Sequence, residues 1–340
     1  MSTVRFPYGR DFLEYDFPDS RLVGILESGL HHYVPSYSQV ELVRRAIRDP
    51  LGVQPLAEIV RGKRKVVLIA SDHTRPVPSK FIVPELLAEI RRGNPQAEII
   101  ILIATGCHRE TTRDELVEKF GQDIFETENI IVHNCDKSEF VNLGKLPSGG
   151  DLVLNKIAVD ADVLIAEGFI EPHFFAGFSG GRKSVLPGIA ARETVIYNHN
   201  AEFIANKFSR AGVLEKNPIH EDMIFAAQKA RLAFICNVVI NNRKEIIHAV
   251  AGECGAAHSD GCGFLCEYCK VDAIAADIVV TSNGGYPLDQ NIYQAVKGMT
   301  AAEASVKKNG VIIMLAKSDD GHGGNHFHKT FADEKNLDNM

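Results

Sequence analysis

Two segments separated by two residues decide the fold: DVLIAEG at residues 162–168 and EPHFFAGFSGGRKSVLPGIAARETVIYNHN at residues 171–200. The first segment is a short apolar run, which is typical of a buried strand in a parallel sheet. The second predicts a glycine-rich loop that contains His173, Lys183 and His199. Loops that follow parallel strands often carry binding or catalytic residues. We therefore expect the functional site at the end of this strand.

The loop has the composition of an anion-binding turn. Gly177, Gly180 and Gly181 allow the backbone to adopt positive φ angles and to approach a ligand closely. Backbone amides exposed in such a turn bind anions such as phosphate. Lys183 adds a primary amine that can act covalently or electrostatically, and the nearby histidines suit metal or acid–base chemistry. The alternative is a simple turn in which Arg182 and Lys183 are solvated.

The sequence GFSGGRKS at residues 177–184 nearly matches the nucleotide phosphate loop, G-x-x-x-x-G-K-S. Arg182 stands where that motif needs a glycine before its lysine. Pro187 and Gly188 also interrupt the helix that must follow a phosphate loop of this kind. Both differences argue against a nucleoside triphosphatase.

The chain length of 340 residues is sufficient for two domains. The composition, 45% hydrophobic and 24% charged, is that of an ordinary soluble protein. Asp and Glu (44) exceed Lys and Arg (37), and the net charge of -7 argues against broad binding to nucleic acid or to anionic membranes. A small-molecule partner is therefore expected.

The amino terminus has no apolar core long enough for a signal peptide, and no later apolar run is long enough to span a bilayer. These features predict a cytoplasmic protein without a membrane partner. The seven cysteines are odd in number, and several lie in apolar segments, so reduced thiols are expected rather than disulfides. A structural zinc site remains an alternative for one cluster. Its members are Cys254, Cys262, Cys266 and Cys269, with His258 between them.

Strand and helix patterns alternate along the chain, which is typical of a doubly wound α/β sheet. Capping and proline signals predict helices at residues 81–92 and 218–230, among others. Apolar, β-branched runs predict further strands at residues 66–70, 98–104, 130–132, 151–157, 232–240, 277–281 and 311–316.

Polar clusters follow two of these predicted strands. Asp72 can orient a hydroxyl group, and Arg75 can bind a carboxylate or phosphate through both of its terminal nitrogens. An Asp–Arg pair that only ties down a proline-rich turn is the alternative. His108 precedes a helix with a capping box of Thr112 and Glu115, where the positive helix end favours a neutral imidazole suited to general base catalysis. A surface histidine without function is the alternative there.

A last polar loop, SNGGYPLDQ, follows the predicted strand at residues 277–281. The helix after this loop is expected to carry Gln294 and Lys297 three residues apart, on one face. These two side chains can therefore hydrogen-bond to one ligand together.

Four blocks of this sequence, taken in order, resemble the nickel-dependent lactate racemase family. Any one block alone is a weak signal, but four in the order of the family make a specific match. The blocks are SDHTRPVPSK (71–80), ATGCHRETTRDEL (104–116), EPHFFAGFSGGRKSVLPGIA (171–190) with the later NHN (198–200), and TSNGGYPLDQNIYQAVKGM (281–299).

The resemblance implies an α/β protein of two domains with Rossmann-like parallel sheets and an active site in the interdomain cleft. Residues 1–270 would form the N-terminal cofactor-binding and catalytic domain. Residues 271–340 would form a C-terminal α/β domain, which we expect to be truncated because the family's second domain continues further.

The resemblance also implies a cofactor, the nickel-pincer nucleotide, which is a pyridinium-3-thioamide-5-thiocarboxylic acid mononucleotide loaded by dedicated cofactor-synthesis proteins. Lys183 matches the lysine that holds this cofactor through a thioamide, and His199 matches the protein ligand to nickel. Soft sulfur and carbon donors completed by one imidazole suit square-planar nickel, so one protein ligand is sufficient. The block that would hold the cofactor consists of Asp72, His73, Thr74 and Arg75.

The implied activity is that of an isomerase, a racemase or epimerase of a 2-hydroxy acid, with lactate as the first expectation. His108 and His173 match the paired acid–base residues, while Arg75, Gln294 and Lys297 match positions that contact the substrate. The α-hydrogen of a 2-hydroxy acid is a poor acid, so its removal as hydride avoids a dianion and leaves a planar 2-keto acid.

Two alternatives remain for the function. The same machinery can act on a bulkier or more acidic 2-hydroxy acid, because Phe174, Phe175 and Tyr286 are candidates to line the pocket. The chain can also be a non-catalytic homologue that binds or carries the nickel nucleotide. The presence of both His108 and His173 favours catalysis, since a carrier has no need of paired bases.

Overall fold

The computed structural model describes residues 1–336, except for the side chains of residues 325–327 and 330. The described chain divides into two compact units. The larger unit comprises residues 30–73 and 77–269, and the smaller unit comprises residues 1–29, residues 74–76 and the chain from Lys270 onward. The division into domains 1–270 and 271–340 and the location of the site in an interdomain cleft stay predictions.

The strands, in chain order, are β1 (Ser2–Tyr8), β2 (Asp11–Phe17), β3 (Lys65–Ser71), β4 (Glu98–Ala104), β5 (Asn129–Val132), β6 (Phe140–Lys145), β7 (Asp151–Asn155), β8 (Val163–Phe169), β9 (Pro172–His173), β10 (Gly177–Phe178), β11 (Leu232–Ile240), β12 (Ile246–Gly252), β13 (Ala276–Ser282) and β14 (Val306–Leu315).

The α-helices follow the same order. They are α1 (Gln39–Arg48), α2 (Leu56–Ile59), α3 (Ser79–Gly93), α4 (Arg113–Phe120), α5 (Gln122–Thr127), α6 (Lys156–Val159), α7 (Arg192–Asn198), α8 (Ala201–Ala205), α9 (Pro218–Lys229), α10 (Cys254–Cys269), α11 (Ile292–Glu303) and α12 (Asn325–Asp333). Short 3-10 helices lie at Gly29–His31 and Gly181–Ser184.

A six-stranded sheet forms the centre of the larger unit, with the order β12-β11-β8-β3-β4-β5. All neighbouring strands are parallel except β12, which is antiparallel to β11. From β3 the chain proceeds to β4 and β5 on one side and then returns to β8 on the other side. The gap between the ends of β3 and β8 is therefore the point where the strand order reverses, and ligands of open α/β sheets bind at such points.

Both faces of this sheet are covered by apolar side chains. In β3, Val67 and Ile69 belong to one buried cluster, whereas Val66 and Leu68 belong to another on the opposite face. This alternation follows from the twofold period of a strand. A strand buried on both faces has a continuous apolar run, and this explains why the sequence identified β3, β4 and β8 so readily.

The smaller unit contains an antiparallel hairpin, β1 with β2, and a parallel pair, β13 with β14. The buried carboxylate of Asp289 links its loops, because Oδ2 accepts hydrogen bonds from the amide of Gly9 at 2.7 Å and from that of Lys317 at 3.2 Å. Helix α11 packs against both β13 and β14.

Most of the strand and helix predictions are confirmed, with differences at the ends. The strand predicted at residues 151–157 ends at Asn155, because the side chain of Asn155 accepts a hydrogen bond from the amide of Ile157 and starts α6. The strand predicted at residues 311–316 begins earlier and forms β14.

The cysteine-rich segment forms helix α10, in which Cys254, His258 and Cys262 are buried at a spacing of four residues. Within the described part of the chain, no group of three His, Cys, Asp or Glu side chains is arranged to hold a metal ion. No helix among the described residues is long and apolar enough to cross a membrane.

The predicted capping box at the start of α4 is confirmed. The hydroxyl of Thr112 accepts a hydrogen bond from the amide of Glu115, and the carboxylate of Glu115 accepts one from the amide of Thr112 at 2.8 Å. Burial alone would raise the pKa of Glu115, but hydrogen bonds from Arg109 and from the Thr112 amide outweigh it and lower the pKa to about 2. The ionised carboxylate therefore stabilises the folded state.

We expect the substitution Glu115→Gln to reduce the free energy of unfolding by at most about 3 kcal/mol at neutral pH. Because the folded-state pKa is depressed, this contribution is complete above the ordinary pKa of 4.5 and disappears as the pH falls toward 2. Denaturant unfolding of both proteins between pH 7 and pH 2.5 measures the difference.

Glu118→Gln, on the same helix but exposed, controls for the loss of one carboxylate and is expected to change the free energy of unfolding by less than about 0.5 kcal/mol at neutral pH. A difference between wild type and Glu115→Gln that stays constant over this pH range would contradict the assignment.

Candidate active site

Three neighbouring parallel strands of the larger unit end at the same edge of the sheet. Asp72 follows β3 directly, His108 lies in the loop after β4, and His173 lies in the loop after β8. Each of these residues was a candidate from the sequence. The parallel arrangement explains why residues so far apart in sequence belong to one edge.

His108 and Asp72 form a close pair, with Nδ1 of His108 2.6 Å from Oδ2 of Asp72. Asp72 is only 1% exposed, whereas the His108 side chain is 19% exposed. A carboxylate can only accept a hydrogen bond, so Nδ1 of His108 carries the proton and donates it. In the neutral ring Nε2 is then the basic nitrogen, as in the histidine of a Ser-His-Asp triad.

His173 has the opposite arrangement. Its Nδ1 accepts a hydrogen bond from the amide of Ala176 at 3.3 Å. In the neutral ring the proton is therefore on Nε2, which is a hydrogen-bond donor. The two candidate acid–base residues thus have complementary functions at Nε2, one as an acceptor and the other as a donor.

The ring of Phe175, 7% exposed, connects three candidate residues. Its centroid is 4.5 Å from that of His173 and 4.9 Å from that of His199, both in edge-to-face geometry. The amine of Lys183 is 5.6 Å from the same centroid, a distance that allows a cation–π contact. The loop therefore folds back on itself and brings His173, Lys183 and His199 together.

His199 follows α7, and its backbone amide donates to the carbonyl of Val195 at 2.9 Å. Its Nδ1 atom is buried and has no hydrogen-bond partner. Burial, and then the charge of Lys183, lower the pKa of His199 to about 3, so the imidazole is neutral at physiological pH. A neutral imidazole with a buried nitrogen that lacks a partner is the form that binds a metal ion.

Arg182 is completely buried and organises the glycine loop from inside. Its guanidinium donates to the carbonyl of Ala176 at 2.8 Å, to that of Gly180 at 3.2 Å and to that of Ser179 at 3.4 Å. Arg182 is therefore not the solvated surface residue of the simple-turn alternative. Burial lowers the pKa of Arg182 to about 10, so the side chain still carries its charge at neutral pH.

Two histidines complete the surroundings of Arg182. Nε2 of His258 lies 2.8 Å from one terminal nitrogen of Arg182, and Nδ1 of His220 accepts from Nε of Arg182 at 3.0 Å. Burial, and then the charge of Arg182, lower the pKa of His258 to about 3 and that of His220 to about 4. Both rings are therefore neutral. His220 accepts from the guanidinium at Nδ1, whereas Nε2 of His258 lies 2.8 Å from both Arg182 and the carbonyl oxygen of Ser179.

The backbone geometry requires glycine at two positions of the loop. Gly180 and Gly181 have φ angles of +78° and +53°. A Cβ atom at Gly180 would lie 2.9 Å from the carbonyl oxygen of Phe169, which is too close. The conformation of Gly181 lets its amide donate to Oδ1 of Asn237 at 2.7 Å. Only a four-residue 3-10 helix follows, so the loop does not have the long helix of a nucleotide phosphate loop.

His73, predicted to bind the cofactor, is buried and follows Asp72 in the loop after β3. Its Nδ1 lies 3.0 Å from the hydroxyl of Thr111, while Nε2 is buried and has no hydrogen-bond partner. Burial is the main cause that lowers the pKa of His73. The ring is therefore neutral at physiological pH.

The smaller unit contains the other predicted residues. The guanidinium of Arg75 donates to the hydroxyl of Thr74 at 2.8 Å and to Oε1 of Gln294 at 3.3 Å. Gln294 is 2% exposed and lies in the first turn of α11, where its amide donates to the capping side chain of Asn291. Lys297 follows one turn later on the same helix.

Sequence reasoning missed the central position of Phe175, the burial of Arg182 and the contacts of Glu167. The residues that surround Arg182 are distant in sequence, so no local pattern indicated them. Glu167 did have a signal, because it is the only charged residue within the apolar run 163–169.

Comparisons with known proteins agree with these features. Residues 8–212 match the family described as "Lactate racemase N-terminal domain", and residues 271–340 match "Lactate racemase C-terminal domain". Two curated relatives are both named lactate racemase. That of Thermoanaerobacterium thermosaccharolyticum is 55% identical over 336 residues, and that of Lactiplantibacillus plantarum is 52% identical over 334 residues. Each match covers 98% of this chain and 79% of the relative.

Two solved structures are also similar. The lactate racemase apoprotein from T. thermosaccharolyticum has a TM-score of 0.90 and 54% identity, covering 98% of this chain and 79% of that chain. A Thermotoga maritima protein, with a TM-score of 0.59 and 20% identity over 74% of this chain and 64% of its own, shares the fold alone. The matches along the chain and the high identity to named racemases show that this protein belongs to the lactate racemase family and is a racemase, an enzyme of the isomerase class.

Proposed function

We propose that the protein interconverts the enantiomers of a 2-hydroxy acid at C2, with lactate as the substrate. Both curated relatives are named lactate racemase, which supports this choice. The observation that carries the proposal is the pair of differently oriented histidines. Asp72 orients His108 with its basic Nε2 available for a proton, while the amide of Ala176 orients His173 as a donor at Nε2.

The two histidines first have to move the proton of the substrate's 2-hydroxyl group. Nε2 of His108 would accept it from one enantiomer, and the resulting imidazolium is stabilised by Asp72 at 2.6 Å. His173 would hydrogen-bond to the same oxygen from the other side. To deliver a whole proton, His173 has to be protonated at Nδ1 first, and the contact with the Ala176 amide then has to open.

The described residues fit a nickel-pincer nucleotide bound to Lys183. The orphaned, neutral Nδ1 of His199 suits a nickel ligand, and the amine of Lys183 lies beside the same Phe175 ring. The loop 72–75 would contribute to cofactor binding through Asp72, His73, Thr74 and Arg75. When bound, this cofactor supplies a pyridinium ring and nickel that take up the α-hydrogen as hydride and return it.

Arg75, Gln294 and Lys297 are proposed to bind the substrate. A guanidinium and an ammonium group suit a carboxylate, and Gln294 already orients Arg75 through its Oε1 atom. Fixing the carboxylate keeps the planar 2-keto acid in place until its second face is reduced.

We expect deuterium at C2 of lactate to stay on C2 when the loaded enzyme inverts the centre. The reason is that a hydrogen transferred as hydride does not exchange with water, whereas a hydrogen abstracted as a proton does. Chiral chromatography followed by mass spectrometry measures both inversion and label. Unlabelled lactate in D2O is the control, and loss of the label to solvent during turnover would contradict hydride transfer.

We expect His108→Gln and His173→Gln each to lower kcat by roughly 10²–10⁴-fold, the usual contribution of general acid–base catalysis, while the nickel content of the loaded protein is retained. His199→Ala is expected to lose nickel. Metal analysis by mass spectrometry and a racemisation assay separate these effects. Equal nickel loss in His108→Gln and His199→Ala would contradict the division of roles.

We expect intact-mass analysis of protein co-produced with the cofactor-synthesis proteins to show an adduct on wild type and none on Lys183→Arg. Arginine keeps a cation near Phe175 but has no primary amine for a thioamide bond. Peptide mapping identifies the modified residue in the wild type. An adduct that persists in Lys183→Arg would remove the proposed covalent role of Lys183.

A further inference from the structure

Glu167 is a buried carboxylate at the point where the strand order reverses. It lies in β8, which is hydrogen-bonded to β3 on one side and to β11 on the other, and it is 2% exposed. All other residues of β8 are apolar or glycine. A lone carboxylate in such a strand is costly to bury, so its contacts have to explain its presence.

One oxygen of Glu167 accepts three hydrogen bonds. Oε1 accepts from the amide of Ser71 at 2.8 Å, from the hydroxyl of Ser71 at 2.9 Å and from the hydroxyl of Ser79 at 3.2 Å. The backbone pairing between β3 and β8 ends at Ile69 and Ala166. Just beyond this last pair, the Glu167 side chain accepts the hydrogen bond of the Ser71 amide. It thereby fixes the backbone at the place where the two strands separate.

Glu167 also contacts the start of the next helix. Ser79 is the first residue of α3, a helix of 15 residues whose amino end carries a partial positive charge. The second oxygen of Glu167, Oε2, is buried and has no hydrogen-bond partner. One carboxylate oxygen is therefore left unsatisfied, and the three hydrogen bonds to the other all involve the loop after β3 and the helix that follows.

Ser71 directly precedes Asp72, the residue that orients His108. A continuous series of contacts thus runs from Glu167 through the Ser71 backbone and Asp72 to Nδ1 of His108. Displacement of the Ser71 amide would move the Asp72 backbone, and the hydrogen bond of 2.6 Å would lose its geometry.

We propose that Glu167 is a positioning residue of the active site, which holds Ser71 so that Asp72 keeps His108 in the Nδ1-protonated form with a basic Nε2. This inference rests on the proposed function for its effect on catalysis. The effect on the His108 tautomer does not depend on that function.

The test uses the full-length apoprotein with 15N-labelled histidine, in which NMR distinguishes the two neutral tautomers. His108→Gln identifies the signal of His108. Glu167→Asp keeps the charge but withdraws the carboxylate by one methylene group, and Glu167→Gln keeps the length but loses the charge. We expect Glu167→Asp to populate the Nε2-protonated tautomer of His108 and Glu167→Gln to do so to a smaller extent.

Glu128→Asp is the matched control. The Glu128 side chain is 6% exposed and pairs with Arg91 at 2.6 Å, so the same shortening breaks an ion pair that does not involve the loop after β3. We expect this variant to melt at a lower temperature without any change in the His108 tautomer. If Glu128→Asp shifts the tautomer as much as Glu167→Asp does, general destabilisation is the cause and the proposal is wrong.

In the loaded enzyme we expect Glu167→Asp to lower kcat per bound cofactor by roughly 10–100-fold, as is usual for residues that orient a functional side chain. Unchanged tautomer signals together with a kcat within about twofold of wild type in both Glu167 variants would overturn the proposal. A loaded wild-type protein that inverts no 2-hydroxy acid would instead refute the proposed function, while the tautomer measurement would still decide the function of Glu167.

Discussion

The rest of the site depends on the hydrogen bonds that the buried guanidinium of Arg182 makes with the glycine loop. Burial of a cation without partners costs roughly several kcal/mol, so its five polar contacts are needed for the fold to exist. Three of these are carbonyls of the glycine loop, which therefore has to curl around the guanidinium. This loop conformation fixes the position of the next residue, Lys183. It also places Phe175 in contact with His173 and His199. A motif that resembles a phosphate loop is thus built around a cation of its own.

The three candidate histidines show how one type of side chain acquires different protonation and hydrogen-bonding arrangements from its surroundings. His108 faces a carboxylate and is a base at Nε2, whereas His173 faces a backbone amide and is a donor at Nε2. His199 has a buried nitrogen without any partner and a pKa lowered by burial and by Lys183. The differences come from neighbouring backbone and carboxylate groups, not from the imidazole itself. Residues that position these groups therefore influence the state of a histidine without touching its ring.

The sequence was sufficient for the strands of the central sheet, because each is buried on both faces and appears as a continuous apolar run. It was also sufficient to place Asp72 and His108 in the loops after β3 and β4, since strand ends and cap signals are local features. Contacts between distant segments could not be predicted in this way. An arginine in a glycine-rich loop is usually solvated. Only the contacts of Arg182 with His220, His258 and the loop carbonyls show that it is buried. Glu167 was visible as an anomaly in β8, but its partner Ser71 was not.

The unlike partners of His108 and His173 raise the question of whether the proposed reaction can run equally well in both directions. Two enantiomers have the same free energy in water, and both directions pass through the same highest transition state. The value of kcat/KM measures that transition state relative to free enzyme and substrate, so it has to be equal for the two enantiomers however asymmetric the site is. The asymmetry can only change kcat and KM together. An Asp72 carboxylate beside one histidine and a backbone amide beside the other are therefore compatible with a racemase, because each partner only has to orient its own ring.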